Sequence, residues 1–348
     1  MAADYFHRLH YETSTHFWIN NPSGTELDQA LEAGAVSCTT NPAYCSKLLT
    51  SEPAYLRGLI DEVVRETRDG NRAATLVYQR AARRLLRRFQ PLYEQSCGRC
   101  GFVTMQDDPR QEHDADAIIH SALENRKLGP NFMAKIPVVP SGMDAIATCI
   151  AENIPVCATE VFALSQAVAI CERYQRAAAR TSCHPAFYVT HITGIFDEYL
   201  EKVAARDSLA VTPDALRLAG CALARKEYAL LRQRRYPGIM LGGGARGTHH
   251  FTEMVGGVID VTINWSTAQE ILEANPPLVA RIDAVSDPRL IQELNDRLPD
   301  FRKAWSEDGL AAEGFAEFGP VRLFRNAFLK GWYLLLAEIT SRRNALAQ

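Results

Sequence analysis

The sequence predicts a (β/α)8 TIM barrel with extra helices and a helical C-terminal extension. Two observations carry this. Eight short apolar runs alternate with helix-patterned segments, as a barrel of parallel strands and covering helices requires. No linker, repeat or low-complexity segment divides the 348 residues. The chain therefore reads as a single domain over 1–348, with the barrel at 15–275 and the helical extension at 276–348 packed on it. A doubly wound open sheet is the runner-up.

The elements follow in order. Phe17-Trp18-Ile19-Asn20 is the first strand, with a helix over 26–32. Ala35-Val36-Ser37-Cys38-Thr39-Thr40 is the second, followed by two helices over 54–66 and 71–94. The third strand covers 101–106 and its helix 114–125. Asn131-Phe132-Met133-Ala134-Lys135-Ile136-Pro137-Val138-Val139 is the fourth, between Gly129-Pro130 and Pro140-Ser141-Gly142, a buried strand framed by turn residues. A helix over 143–152 leads to the fifth strand at 154–159, and one over 164–180 to the sixth at 186–193. Helices over 197–205 and 213–234 precede the seventh strand, 238–241, and the eighth is 258–263. Beyond Pro276-Pro277 the tail reads as helical. Its run over 321–339 sets Phe324, Phe328, Trp332, Tyr333 and Leu336 at helical spacing, which suits packing over the barrel or a homodimer contact.

Hydrophobic content of 47% and charged content of 23% are ordinary for a globular protein. A net charge of -3 gives no reason to expect nucleic acid or an anionic membrane as partner. No run approaches a membrane span, and 1–12 lacks a leader pattern. Nine scattered cysteines, several in apolar runs, suit reduced thiols in a cytoplasmic protein. Cys97-Gly-Arg-Cys100 has no matching second pair, so it reads as a connection rather than a zinc site. Arg80, Arg83, Arg84, Arg87 and Arg88 read as a solvated helix face.

Lys135 stands apart from the other lysines because it sits inside an apolar strand. Burying an ammonium is costly, and its usual escape is deprotonation. A neutral amine on a rigid strand is what a Schiff-base nucleophile requires. The bland alternative is a strand-end lysine that reaches solvent or pairs with an acid. In this fold reactive groups gather at the C-terminal strand ends. There the chain offers Asn20, Thr40-Asn41, Gln106, Lys135, Thr159, Thr190-His191, Arg246 and Asn264. That set is short of carboxylates, which argues against a two-carboxylate glycosidase. His249 and His250 with His191 could be argued into a metal site, but adjacent histidines chelate one ion awkwardly, and no metal is expected. Leu241-Gly242-Gly243-Gly244-Ala245-Arg246 leaves the seventh strand for a helix, and such a loop can hold a phosphate.

Several motifs together resemble the transaldolase family of Schiff-base enzymes. They are Thr39-Thr40-Asn41-Pro42, Lys135-Ile136-Pro137 with Gly142, Ala158-Thr159-Glu160-Val161-Phe162-Ala163 with Gln166-Ala167, then Arg246, then Thr262-Ile263-Asn264. The similarity runs from about Phe17 to Asn275, and the tail resembles a longer branch. The resemblance implies that Lys135 forms an iminium with a ketose and releases an aldose. The bound three-carbon enamine then adds to a second aldehyde, with no cofactor. It further implies that Thr159 holds the catalytic water, that Asn41 binds a substrate hydroxyl, and that Thr190 stands at a serine position lining the pocket.

The chain also departs from that family. Asn20 stands where the resemblance implies an aspartate base, which puts general-base help on the order of a hundredfold in question. Gln106 replaces a glutamate, as in the fructose-6-phosphate aldolase branch. Ile195 replaces a phosphate-binding arginine and Gly244 a serine, leaving Arg246 alone of that cluster. His191 is a candidate replacement base. Three functions follow. The first is transfer of a dihydroxyacetone unit between sugars or sugar phosphates, on a non-standard substrate. The second is an aldolase that releases dihydroxyacetone, and the third a catalytically weakened sugar- or partner-binding barrel.

Overall fold

The computed structural model describes residues 4–347. Helix α1 (Tyr5–Glu12) precedes strand β1 (His16–Asn20). α2 (Gly24–Glu32) leads to β2 (Ser37–Thr39), and α3 (Tyr44–Ser51), α4 (Pro53–Glu66) and α5 (Gly70–Gln95) lead to β3 (Val103–Met105). α6 (Ala115–Asn125) precedes β4 (Phe132–Pro137), and α7 (Pro140–Ala151) precedes β5 (Val156–Val161). α8 (Leu164–Thr181) precedes β6 (Phe187–Ile192). α9 (Gly194–Arg206) and α10 (Pro213–Gln233) connect to β7 (Ile239–Gly243). The short α11 (His249–Thr252) connects to β8 (Ile259–Ile263). α12 (Trp265–Ala274), α13 (Pro288–Arg297), α14 (Pro299–Trp305) and α15 (Gly319–Leu346) complete the chain. The strands pair in parallel in sequence order, and β8 pairs back to β1. The predicted closed barrel is present.

Two helices escape the sequence pattern. α1 is a single apolar stripe of Tyr5, Phe6 and Leu9 on eight residues, too short for a period to stand out. Phe6 stacks on Phe17 at 4.3 Å between ring centroids, so tertiary packing supports it. α3 follows the tight turn at Asn41, whose Oδ1 accepts the Ala43 N–H at 3.0 Å.

The pleat decides what the barrel holds, because successive side chains point to opposite faces. Trp18, Phe102, Met133, Cys157, Tyr188 and Leu241 form one buried cluster inside the barrel. Two residues further along each chain segment stand Asn20, Thr104, Lys135, Thr159, Thr190 and Gly243. An apolar floor thus supports a polar layer toward the C-terminal strand ends. Burying each large floor side chain contributes roughly 1.5–3 kcal/mol.

The tail packs on the barrel. α15 buries Phe328, Trp332, Leu335 and Ile339, while Tyr333 is exposed. A Cβ at Gly331 would lie 2.7 Å from the Ala43 Cα, so this glycine allows α15 to approach the Asn41–Ala43 turn. Arg57 Nε donates to Glu338 at 2.8 Å, and Arg342 bonds Asp61. Among the described residues no helix is long and apolar enough to cross a membrane. On the arginine face of α5, Arg83 and Arg87 are exposed as expected, while Arg80 bonds Glu66, Arg84 bonds Glu52 and Arg88 meets Asp28. Cys97 and Cys100 are free thiols in the α5–β3 connection.

Candidate active site

Lys135 is 7% exposed, and no hydrogen bond or ion pair engages its amine among the described residues. It shares the inward face of β4 with Met133. Burial holds its ammonium below the ordinary lysine range, and the neighbouring Cys157, Glu160 and Cys38 offset this only in part. A depressed lysine favours the neutral, nucleophilic amine.

Around it the structure brings together most of the predicted residues. Asn20 Nδ2 donates to Asn264 Oδ1 at 2.8 Å. Thr39 Oγ1 donates to Asn20 Oδ1 at 3.0 Å, which leaves the Thr262 hydroxyl to donate to Thr39 at 2.7 Å. Both functional atoms of Asn20 are therefore engaged, and the side chain is held as an amide that takes up no proton. Thr190 Oγ1 lies 3.0 Å from Cys157 Sγ. Thr159 is fully buried with its hydroxyl unpartnered. Asn41 is buried at the end of β2. A small cavity of about 30 Å³ is lined by Gln106, Glu112 and Lys135 together.

The scarcity of carboxylates expected from the strand ends does not hold. Glu160 is fully buried, and its Oε1 accepts Gln106 Nε2 at 2.9 Å. Its backbone sits at φ +61, within a β-bulge between Ala158 and Val161. A non-glycine residue there costs about 1–3 kcal/mol and persists only when its surroundings impose it. Gln166 imposes it: Nε2 donates to the Glu160 and Val138 carbonyls, and Oε1 accepts the Phe162 N–H at 2.9 Å. Glu160 Oε2 and Gln106 Oε1 have no partner. Burial, then the nearby Glu112, push the Glu160 carboxyl well above the usual range. Burial likewise raises Glu112 to about 7. Arg325 of α15 lies 3.6 Å from Glu112. An acid inside the apolar run Val156-Cys157-Ala158-Thr159-Glu160-Val161 was the signal available in the sequence.

Two predicted residues lie elsewhere. His191 does not face the pocket. The alternation that turns Thr190 inward turns His191 outward, where it is wholly buried against α10. Its Nδ1 meets Glu227 Oε2 at 2.8 Å and its Nε2 the Gly220 carbonyl at 3.1 Å. A base for the reaction it is not. His191→Ala leaves Glu227 buried and unpaired, which is expected to cost roughly 3 kcal/mol while the pH–rate profile of the folded fraction stays unchanged. Thermal melting and initial rates on one preparation check both halves.

Arg246 is the second. It leaves the β7 end and bonds Glu198 of α9 through Nε at 2.8 Å, with 48% of its side chain exposed. Burial alone would raise Glu198, but Lys202 and Arg246 together hold it below the usual range. Gly244 has φ +69, and a Cβ there would lie 2.6 Å from Ile192 Cγ2 and 3.1 Å from Ile195 Cδ1. Isoleucines thus border the loop at Gly244, and the arginine expected to serve an anion there is paired with an acid. The helix after this loop is a single turn. Asp197, His249 and His250 lie together, but His250 Nε2 donates to Asp197 and its Nδ1 accepts the Arg246 N–H. Asp197 also accepts the Gly220 N–H at 2.6 Å. The group pins the β7–α11 loop.

A closed parallel (β/α)8 barrel thus holds a buried lysine amine, unpaired among the described residues, above an apolar floor. The sequence model of the transaldolase/fructose-6-phosphate aldolase family matches residues 17–313, and the chain belongs to that family. It is 31% identical over 220 residues to "Transaldolase 1" of Streptomyces avermitilis, covering 59% of this chain and 57% of that one. It is 30% identical over 206 residues to a "Transaldolase" of Mycolicibacterium smegmatis, covering 56% and 54%. A "Transaldolase" of Mycobacterium tuberculosis is 28% identical over 210 residues, covering 57% and 55%. The matched region thus spans little more than half the length of these relatives.

Proposed function

We propose that the protein transfers a dihydroxyacetone unit from a ketose to an aldose through a Schiff base on Lys135. The observation that carries this is a buried amine that no hydrogen bond or ion pair engages among the described residues, at the C-terminal side of the barrel. Unprotonated nitrogen attacks the ketose carbonyl, and the resulting iminium draws electrons from the adjacent carbon–carbon bond as it breaks. Asn41, Thr159, Thr190 and Asn264 supply the hydroxyl and amide contacts that orient a polyol. Asn20 stands in the same ring but donates and accepts only as an amide. The donor is a non-standard one whose terminal phosphate, if it has one, is not gripped at β7, since Ile195 and Gly244 offer no donor side chain there.

The second reading is a Schiff-base aldolase that releases free dihydroxyacetone, and the amide at Gln106 favours it. Turnover of a ketose donor with and without an acceptor aldehyde separates the two. The transferase stays at the enamine until acceptor arrives, so product without acceptor is expected to stop at about one equivalent per site. Continuous release of dihydroxyacetone would instead establish the aldolase. Absence of any borohydride-trapped adduct, with every donor tried, would leave the binding barrel.

A further inference from the structure

We propose that Glu160 is a further acid–base residue of the Lys135 reaction, protonating the departing carbinolamine hydroxyl and then standing as a carboxylate beside the iminium. This rests on the Schiff-base reading above.

Four observations support it. Glu160 projects from a bulge that costs backbone strain and is pinned by Gln166, so its placement is enforced by the fold. Its carboxyl is wholly buried, with one oxygen held by Gln106 and the other unpartnered. Gln106, the residue that holds Glu160, borders with Lys135 a small cavity between β4 and α6, although Glu160 itself does not line it. Lys135 and Glu160 feel each other's charge. A buried carboxyl with an idle oxygen is a poor structural choice, because satisfied or apolar groups stabilise a core better.

The proton balance explains the arrangement. At rest burial favours the neutral amine of Lys135 and the neutral acid of Glu160. The nitrogen attacks the carbonyl carbon, a C–N bond forms, and a proton moves from nitrogen to oxygen to give a neutral carbinolamine. Glu160 then gives its proton to the hydroxyl. The C–O bond breaks, water leaves, and the nitrogen lone pair closes the C=N bond. One cation and one anion appear together, so the net charge of the buried site does not change, and the pair is cheaper than either charge alone. On hydrolysis water adds to the iminium carbon and Glu160 recovers its proton.

The groups facing Glu160 are Lys135 from β4, Gln106 at the end of β3, Glu112 from the β3–α6 connection and Arg325 from α15. Glu112 disfavours the ionised form, whereas Gln106, Lys135 and Arg325 favour it. The acid is needed protonated, so the rate of adduct formation falls on the alkaline side as Glu160 ionises.

Borohydride trapping of dihydroxyacetone on Lys135, timed from acid to alkaline pH, tests this. Glu160→Gln is expected to slow adduct formation about a hundredfold and to abolish the alkaline limb, while Glu160→Asp keeps the limb. Glu112→Gln is expected to move that limb to lower pH, because it removes the negative neighbour. A wild type that traps on Lys135 while Glu160→Gln traps equally fast with the same profile would overturn the role of Glu160 and leave the Schiff base standing. A wild type that forms no adduct overturns both. Should Glu160→Gln melt early, the Glu112→Gln limb decides, and an unmoved limb counts against the proposal.

Discussion

Lys135→Met is expected to lose the borohydride-trapped adduct completely and to lower turnover by about 10⁴-fold or more, since the nucleophile itself is removed. The same change should raise the melting temperature by several degrees. Methionine fills a similar volume without the cost of holding an amine in a buried site. The gain should depend on pH in a defined direction. Lys135 has a folded-state pKa below its unfolded value, so between those two values the unfolded chain binds more protons than the folded one. Wild-type stability therefore rises with pH as the unfolded lysine deprotonates, and the difference between variant and wild type shrinks. Melting curves at neutral and alkaline pH check the sign, and trapping with mass spectrometry checks the chemistry. A variant with full activity would sink the covalent mechanism.

The second large effect concerns phosphate. Wild-type kcat/KM is expected to favour an unphosphorylated ketose, or to treat it no worse than tenfold below its phosphate ester. A charge-assisted contact is worth about 1.5–3 kcal/mol, and the position that would offer one at β7 is walled by Ile192 and Ile195. Arg246 is the exception, and Glu198 occupies it. Glu198→Gln should release the guanidinium and lower KM for phosphorylated donors by about tenfold at low salt, with little change for unphosphorylated ones. Gly244→Ser should fail to do the same. Its side chain would meet Ile192 from a left-handed backbone, so lost stability is the expected result. Steady-state kinetics with a matched pair of donors decides the matter. A wild-type preference of a hundredfold or more for the phosphate ester would refute this account.

The architecture was readable from local pattern alone. Apolar runs of strand length, punctuated by Gly, Pro and Asn, place all eight strands, because strand and turn preferences act over a few residues. The unusual lysine was readable too, since a charged group in such a run is conspicuous whatever surrounds it. Strand period alone would also have separated Thr190 from His191, because neighbours in a strand cannot both face the barrel axis.

What neighbours each side chain meets could not be read this way. Glu160 reaches Gln106 across 54 residues of sequence because a bulge turns its strand, and a bulge has no reliable signature in composition. Arg246 is taken by Glu198, 48 residues earlier, and Glu112 meets an arginine from the far end of the chain. The amino-acid order by itself determined a closed barrel with an amine on its inner wall, since those features need only short-range periodicity. Folding in three dimensions decided which acid accompanies that amine and whether an anion has room at β7, since both depend on contacts between distant segments.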